Sequence, residues 1–354
     1  MFVYLGIYTG LALSAIGRYD HRNTFFFLFW ALFLIWFMGF RYQTGCDYSG
    51  YFHRWNNFFP PEELTQLFQG EEAGFSFLMG WLIANEYEYT SLNVTASIIL
   101  VACYVGFARA HPFARLLLAL LFPVIIIQLG MSGIRQAMAG GFLMLAFNAF
   151  MRRQKLWTAA WILVGMQFHA SVVMFLPIAL LAGREVSTLK LAASLTVLGP
   201  IAALLLADRF DTYESRYLDG AVTSSGAIIR YALIFLPVPF FILYREKVRE
   251  VFPDVYPLLK IGALTILALA PLVVLSSIAL HRLNYYIMPL SILLCAYVGA
   301  ILFKKPHQGH WLTVLAYGAY SSIWFLSSFH ATYCYVPYDN TWFYQDLDLS
   351  RFQR

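Results

Sequence analysis

The feature that most constrains this chain is a series of apolar stretches with almost no charge inside them, at 25–40, 91–107, 116–129, 189–207 and 283–303. A helix needs about 20 mostly apolar residues to cross a hydrocarbon core about 30 Å thick, and it satisfies its own backbone there. Across the chain 60% of the residues are hydrophobic and 12% are charged, about half the charged fraction of a soluble domain. The sequence therefore predicts an all-α polytopic membrane protein.

About twelve transmembrane helices fit the sequence, in a single transmembrane domain over residues 1–354. Their predicted ranges are 2–16, 24–40, 91–108, 114–130, 133–151, 156–168, 170–183, 189–207, 227–244, 257–280, 283–303 and 311–328. The apolar stretch 75–84 is short for a span, and counting it as one would invert the charge pattern of the first loops. It is therefore predicted to be re-entrant or interfacial, within a large outer loop over residues 41–90.

Loop charges predict the orientation. The loops near 17–23, 109–115, 152–155, 184–190, 245–260 and 304–310 hold fifteen of the 24 Lys and Arg residues. The opposite side holds the other nine and fourteen of the nineteen acidic residues. Because positive loops stay in the cytoplasm, both termini are predicted outside. The net charge of +5 is scattered over short loops, which argues against nucleic-acid binding.

The type of basic residue also differs between the two sides. All six lysines fall on the predicted cytoplasmic side, whereas the nine basic residues outside are all arginine. A guanidinium group binds phosphate or carboxylate through two hydrogen bonds and tolerates partial desolvation. Chance is an alternative, since arginine outnumbers lysine in the chain, but the pattern favours an anionic ligand near the outer membrane surface.

Basic residues occupy three tight connections on the predicted outer side. Arg135 and Gln136 lie where two apolar segments meet almost without a loop. His169 separates two segments of about thirteen residues, roughly 20 Å each as helices, so it should lie below the membrane surface. His281 and Arg282 occupy the third connection. Each alone could snorkel to headgroups or cap carbonyls, but together they predict an electropositive pocket.

The first large outer loop supplies complementary chemistry. Arg41, Asp47 and Tyr48 lie in a short segment directly after the second crossing, and Glu72 precedes the stretch 75–84. The tyrosines alone fit an aromatic belt at the membrane interface, whereas Arg41 and Asp47 together favour a binding site.

Two further outer segments are less specific. The loop 208–230 contains Arg216 and Arg230 and is either a flexible lid or a solvated loop. The outer tail 329–354 is expected to be structural or disordered.

Neither the cysteines nor any known sequence motif indicates a cofactor site. Cys46 and Cys334 are both predicted outside, where a disulfide is chemically permitted, but the sequence gives no distance between them. No zinc-type cluster, Walker loop or dinucleotide fingerprint occurs in the sequence. The sequence therefore predicts chemistry without a metal or other cofactor. The alternative is a divalent ion that bridges a diphosphate and Asp47.

Six short motifs follow one another along the chain: Arg-x-x-x-Gly-x-Asp-Tyr (41–48), acidic-Gly-Phe (72–75), Ser-Gly-Ile-Arg-Gln-x-x-Ala (132–139), Phe-His-x-Ser (168–171), Arg-x-x-x-Tyr (282–286) and Val-Pro-Tyr (336–338). The ordered set covers nearly the whole chain and resembles the EpsG-like branch of the Wzy-type polysaccharide polymerases. Ala73 stands in the acidic-Gly-Phe element where that pattern has proline.

The resemblance implies a metal-independent, inverting glycosyltransferase with a GT-C-like fold in the bacterial cytoplasmic (inner) membrane. Its active site would face the periplasm or exterior and transfer a growing O-antigen-like glycan from undecaprenyl diphosphate to a lipid-linked repeat unit. The implied partners are the lipid-linked donor and acceptor, membrane lipid and a chain-length regulator, with no cofactor.

Fixed arginines fit this chemistry because they can stabilise the negative charge that develops on a departing diphosphate. Arg135 and Arg282 are the first choices for this role, followed by Arg41 and then by Arg216 and Arg230.

The attacking hydroxyl needs a catalytic base within hydrogen-bond reach. His169 and Asp47 compete for this role, and His169 is preferred because a neutral imidazole remains a useful base beside several arginines. Supporting or substrate-binding roles are predicted for six neighbours of these residues, namely Gln136, Tyr48, Glu72, His281, Tyr286 and Tyr338.

Three other functions stay open. An O-antigen ligase shares the donor and the leaving group, but that family usually has a large outer domain late in the chain. A membrane acyltransferase of surface polysaccharide could also use a histidine base, although its donor usually comes from the cytoplasm. A flippase or transporter of lipid-linked oligosaccharides should carry ionisable residues near the membrane midplane.

Overall fold

The computed structural model describes residues 1–16, 23–58, 72–183, 227–270 and 277–343, without the side chains at 227–229, 277–282 and 306. The predicted span 189–207, most of the loop 208–230 and the end of the tail lie outside the described residues.

The first half of the described chain is almost entirely helical. It contains α1 (Phe2–Ile16), α2 (Thr24–Gly39), α3 (Tyr48–Asn56), α4 (Ala73–Ala84), α5 (Tyr89–Arg109), α6 (Ala114–Leu121), a π-helix (Phe122–Gly130), α7 (Ile134–Met151), α8 (Lys155–Met166), a 3₁₀ helix (Ala170–Phe175) and α9 (Ile178–Leu181). At the start of α2 the Asn23 side chain accepts a hydrogen bond from the Phe26 N–H at 3.1 Å, which satisfies one free donor of the first turn.

The second half continues with α10 (Ala227–Phe235), α11 (Pro237–Val251), α12 (Tyr256–Leu269), α13 (Ser277–Leu302), α14 (Pro306–Ser327) and α15 (Phe329–Tyr335). Proline occupies the first turn of α11, α12 and α14, where its missing N–H breaks no helical hydrogen bond. The predicted all-α class is confirmed for the described residues, whereas twelve crossings and a GT-C-like fold stay predictions.

Two predicted spans do not form single helices. The range 227–244 divides into α10 and α11 at Pro237, which cannot donate to the helical hydrogen-bond ladder and begins a new helix. The range 170–183 forms the 3₁₀ helix and the single turn α9, with Pro177 between them. In both places the prediction of one continuous helix was wrong, because apolar composition alone does not register a helix break.

The predicted connection at His281 and Arg282 was also wrong. The helix α13 runs from Ser277 to Leu302, so both residues lie near its start and not between two helices. The apolar residues on the two sides of the pair belong to one helix, which also accommodates Pro289.

The helices pack around a large apolar core. α7 lies against α5 and α8, α13 lies against α10, α11, α12 and α14, and α1 lies against α6 and α14. Large apolar side chains also face outward, among them Phe2, Phe25, Leu243 and Leu326. An apolar outer surface on an apolar core suits a helical bundle in lipid.

Two stretches, Tyr89–Arg109 and Leu283–Leu302, are long and apolar enough to cross a membrane by length and composition. Seven shorter apolar helical stretches of 10–17 residues accompany them among the described residues, with Ala170–Leu181 counted as one stretch. The fold is thus consistent with a membrane protein. The helix α4 occupies the stretch 75–84, but its position relative to the bilayer, the orientation and the location of the termini stay predictions.

A small antiparallel sheet joins the first large loop to the C-terminal end of the described chain. The strands are β1 (Arg41–Tyr42) and β2 (Asp339–Asn340), with Arg41 opposite Asn340. A disulfide links Cys46 to Cys334, with their Cα atoms 4.8 Å apart. Residues far apart in the sequence therefore meet at the end of the bundle where α3 and α7 begin.

Candidate functional site

The loop after α2 holds Asp47 against the start of α7. At Gly45 φ is +107°, and a Cβ there would lie 1.7 Å from the Met131 carbonyl oxygen, so this close approach requires glycine. The Asp47 N–H donates to Ser132 Oγ at 3.2 Å. Asp47 Oδ2 lies 3.8 Å from where a Cβ would stand on Gly133, and its side chain is exposed. The loop thus presents an accessible carboxylate beside α7.

Arg135, in the first turn of α7, forms an ion pair with Glu72. Arg135 Nη1 donates to Glu72 Oε2, and the side chains are 30% and 2% exposed, respectively. Glu72 has a left-handed φ of 57° just before α4, and the Phe75 N–H fixes this turn by donating to the Gln167 carbonyl at 3.1 Å. The Nε of Arg135 is buried, whereas 30% of its side chain as a whole is exposed. The ion pair therefore orients the guanidinium, and the exposed part of the side chain is what a ligand can reach.

A second guanidinium, that of Arg54 on α3, lies beside this pair. Arg54 Cζ is 5.4 Å from the centroid of the Phe75 ring, and Arg135 Cζ is 5.7 Å from the same centroid. Partial burial of the otherwise exposed Arg54 lowers its pKa, and the positive charge of Arg135 lowers it further, whereas Glu72 raises it. Arg135 is thus paired with the buried Glu72 carboxylate, and Arg54 lies close enough to feel the charges of both.

Tyr51 connects Asp47 with Arg135. Burial raises the pKa of Tyr51, Arg135 lowers it, and the Asp47 carboxylate raises it. Arg135 Cζ lies 5.9 Å from the Tyr51 ring centroid. The exposed carboxylate and the paired guanidinium therefore act on the same buried phenol. We use the term outer mouth, after the side predicted from the loop charges, for the group of Asp47, Tyr51, Arg54, Glu72, Phe75 and Arg135.

His169 belongs to a buried hydrogen-bond chain. It is 6% exposed, its Nδ1 lies 2.7 Å from Ser171 Oγ, and that hydroxyl lies 3.0 Å from the Tyr286 hydroxyl. The His169 and Tyr286 rings also meet edge to face at 6.5 Å between centroids. The structure thus brings the buried His169 and Tyr286 together through Ser171.

Arg230 lies in α10 and not in an outer loop as predicted, because the apolar residues around it continue a helix. It is 4% exposed; Nε donates to the Tyr320 hydroxyl at 3.3 Å and Nη1 to the Tyr285 hydroxyl at 3.2 Å. Tyr320 in turn bonds to the Gln128 side chain of the π-helix at 2.7 and 3.0 Å. Because Tyr285 adjoins Tyr286 on α13, this cluster lies next to the His169 chain.

Arg41 is separate from the outer mouth. It is 1% exposed, its Nη1 donates to the Met38 carbonyl at 2.6 Å, and its Nε donates to the Thr44 carbonyl at 3.1 Å. Burial lowers the pKa of Arg41 from its ordinary value. Its guanidinium therefore caps the end of α2 and closes the following loop.

The remaining predicted residues have varied positions. Tyr48 is buried and meets Tyr89 edge to face at 5.2 Å, and Gln136 is buried in the first turn of α7. The Tyr338 hydroxyl donates to the Phe37 carbonyl at 2.8 Å, so it holds the C-terminal segment to α2. Arg216 and the side chains of His281 and Arg282 lie outside the described residues.

Sequence reasoning missed Arg54 and Tyr51. The only signal for Arg54 was its membership of the outer arginines, and Tyr51 was one of many tyrosines in an aromatic loop.

In the ranges that the structure describes, no group of three or more His, Cys, Asp and Glu side chains could hold a metal ion. The outer mouth can bind an anion through two guanidinium groups and accept a proton on an exposed carboxylate.

Comparison with known proteins agrees with the resemblance of the motifs. A model of the EpsG family matches residues 24–340, which is most of the chain and includes every residue of the outer mouth. Searches of curated proteins and of solved structures gave no match. The chain therefore belongs to the EpsG family, and with it to the glycosyltransferase-like polymerases of polysaccharide biosynthesis.

Proposed function

We propose that this chain polymerises a lipid-linked polysaccharide at the outer face of the cytoplasmic membrane. It transfers the growing glycan from undecaprenyl diphosphate to a repeat unit carried on a second lipid. The observation that carries this proposal is the outer mouth, where Arg54 and Arg135 cover one aromatic ring beside the exposed Asp47. An enzyme for this reaction needs both an anion site and a base.

The two arginines bind the donor diphosphate. Over the whole outer mouth the carboxylates of Glu72 and Asp47 offset the two guanidinium charges, so the diphosphate is bound by directed N–H donors and not by an excess of positive charge. Negative charge on the diphosphate grows as the sugar leaves, and fixed donors stabilise that charge without reorganisation. Partial burial of Arg135 strengthens the interaction relative to bulk water. Arg282 and Arg216 are further candidates for diphosphate contacts on the family resemblance alone.

Asp47 is the better placed of the two candidate bases. It is exposed at the outer mouth, whereas His169 is buried and hydrogen-bonded to Ser171. An acceptor sugar can approach Asp47 without displacing other side chains. This assignment reverses the preference for His169 that the sequence suggested.

The reaction is a single displacement. The acceptor hydroxyl oxygen bonds to C1 of the donor sugar while the bond from C1 to the diphosphate oxygen breaks. The electron pair of that bond leaves with undecaprenyl diphosphate at Arg135 and Arg54, and the hydroxyl proton passes to Asp47. Attack opposite the leaving group inverts the configuration at C1. No step of this scheme uses a metal ion.

The test uses purified full-length protein in lipid vesicles and the lipid-linked repeat unit extracted from cells that lack this gene. We expect a ladder of polymer on a gel, unchanged by EDTA and formed much more slowly, at a rate that can still be measured, in Arg135→Lys and Asp47→Asn. Arg249→Lys is the matched control, because Arg249 is exposed in the last turn of α11.

Other outcomes identify the alternative functions. Transfer of the glycan to a different lipid acceptor without a ladder indicates a ligase, and transfer of an acyl group indicates an acyltransferase. Movement of the repeat unit across the vesicle membrane without a new glycosidic bond indicates a flippase. Any of these results would refute the polymerase.

A further inference from the structure

The disulfide between Cys46 and Cys334 is adjacent to Asp47 in the chain. It joins residues that are 288 positions apart in the sequence. The Gly45 N–H also donates to the Cys334 carbonyl at 2.7 Å, so the two segments meet through backbone as well as sulfur. The residue that precedes the proposed base is thus covalently fixed to the C-terminal segment.

The C-terminal segment is itself held firmly to the bundle. The Tyr335 hydroxyl donates to the Gln128 carbonyl of the π-helix at 3.0 Å. The Thr341 N–H donates to the Phe40 carbonyl at 2.8 Å, and β2 pairs with β1 between these points. A segment anchored in this way is a rigid support for whatever is bonded to it.

Asp47 has few other constraints. Its N–H donates to Ser132 Oγ at 3.2 Å, but its side chain makes no capping hydrogen bond at the start of α3. Its position therefore depends on the backbone on both sides, which is fixed by the disulfide before it and by α3 after it.

We infer that Cys46 and Cys334 are positioning residues whose disulfide fixes the Asp47 carboxylate at the outer mouth, so that polymerisation depends on the oxidation of this pair. The inference rests on the proposed function, because it concerns the placement of the proposed base. Reduction removes the covalent link and leaves the backbone before Asp47 held by hydrogen bonds and packing alone, and a misplacement of about 1 Å can lower a catalytic rate about 100-fold.

Oxidation of Cys46 and Cys334 needs an electron acceptor and an oxidising compartment. Two thiols become one disulfide and release two electrons and two protons to the disulfide form of a dithiol–disulfide oxidoreductase, which becomes a dithiol. Such a disulfide persists in an oxidising compartment and not in the cytoplasm. The bond therefore supports the outside location that the loop charges predict for both cysteines.

The test compares the full chain in vesicles before reduction, after reduction with dithiothreitol and after reoxidation. Maleimide labelling counts the free thiols at each stage, and the ladder reports activity. We expect reduction to lower kcat by about 100-fold with a much smaller change in KM, and reoxidation to restore it. Cys46→Ser/Cys334→Ser should be slow at every stage. Cys103→Ser/Cys295→Ser, which removes the two free cysteines, should behave like the wild type.

A second measurement separates positioning from general stability. In an Asp47→Asn background, reduction should cause no further loss of kcat, because the group that the disulfide positions is already gone. If the serine variant does not fold, reduction of the folded wild type decides the question.

The outcomes are distinguishable. A wild-type ladder that survives complete reduction, or an equal further loss on reduction in Asp47→Asn, overturns the inference and leaves the proposed function in place. A wild type that forms no ladder under oxidising conditions overturns the proposed function and the inference with it.

Discussion

Arg41 and Arg135 come from the same class of sequence prediction but lie in opposite environments. Both were selected as outer arginines that bind diphosphate. Arg41 is 1% exposed, and its hydrogen bonds go to the backbone carbonyls of Met38 and Thr44. Arg135 has a 30% exposed side chain, a carboxylate partner and a second guanidinium nearby. The first arrangement stabilises the chain, whereas the second can receive a ligand.

The difference shows that the hydrogen-bond acceptor of a basic residue at a helix end determines the role of that residue. Carbonyl oxygens carry partial charge and belong to the fold, so an arginine bonded to them acts as a cap. A buried carboxylate such as Glu72 instead orients a guanidinium while other donors of that group remain available. Four substitutions test this comparison.

The largest effect is expected for Arg135→Lys. Lysine keeps a positive charge beside Glu72 but cannot present a planar fork to a diphosphate. We expect the rate of ladder formation to fall about 100-fold to 1,000-fold, as for the loss of one transition-state donor. The unfolding temperature should change little, and Arg249→Lys should leave both quantities unchanged. Retention of the wild-type rate would remove Arg135 from the site.

For Arg41→Leu we expect a loss of stability and not of chemistry. The Met38 and Thr44 carbonyls lose their charged donor, which we expect to lower the free energy of unfolding by about 3 kcal/mol. Denaturant unfolding in detergent measures this change, with the exposed Arg249→Leu as a control expected to stay within about 0.5 kcal/mol. The folded fraction should retain its kcat. A stable variant that forms no ladder would instead assign Arg41 to the substrate.

An intermediate effect is expected for Arg54→Gln. Arg135 still binds the diphosphate, so we expect kcat/KM to fall about tenfold, near the lower end for one hydrogen bond to a charged group. Because Arg54 is exposed, added salt should weaken its contribution and reduce the difference between the variant and the wild type. An effect as large as that of Arg135→Lys would make Arg54 the principal diphosphate ligand.

The smallest effect is expected for Tyr338→Phe. Its hydroxyl bonds to the Phe37 carbonyl, so its removal should lower the free energy of unfolding by about 1 kcal/mol and leave the ladder unchanged. Loss of the ladder at unchanged stability would support the substrate contact that the sequence predicted.

The helical class, the resemblance to the EpsG family and three residues of the outer mouth could be read from residue types and their spacing alone. Apolar composition forces backbone groups to pair within a helix, and the ordered motifs already contain Asp47, Glu72 and Arg135. These properties depend on residue type and local spacing, which the sequence states directly.

Which charged groups lie close together became apparent from the three-dimensional packing of the helices. It placed Arg54 beside Arg135, buried Arg41, joined Cys46 to Cys334 and divided two predicted spans at Pro177 and Pro237. The reason is that distances between residues remote in sequence are set by how helices pack. A local pattern fixes which residues can meet on one helix and leaves open which helices lie side by side.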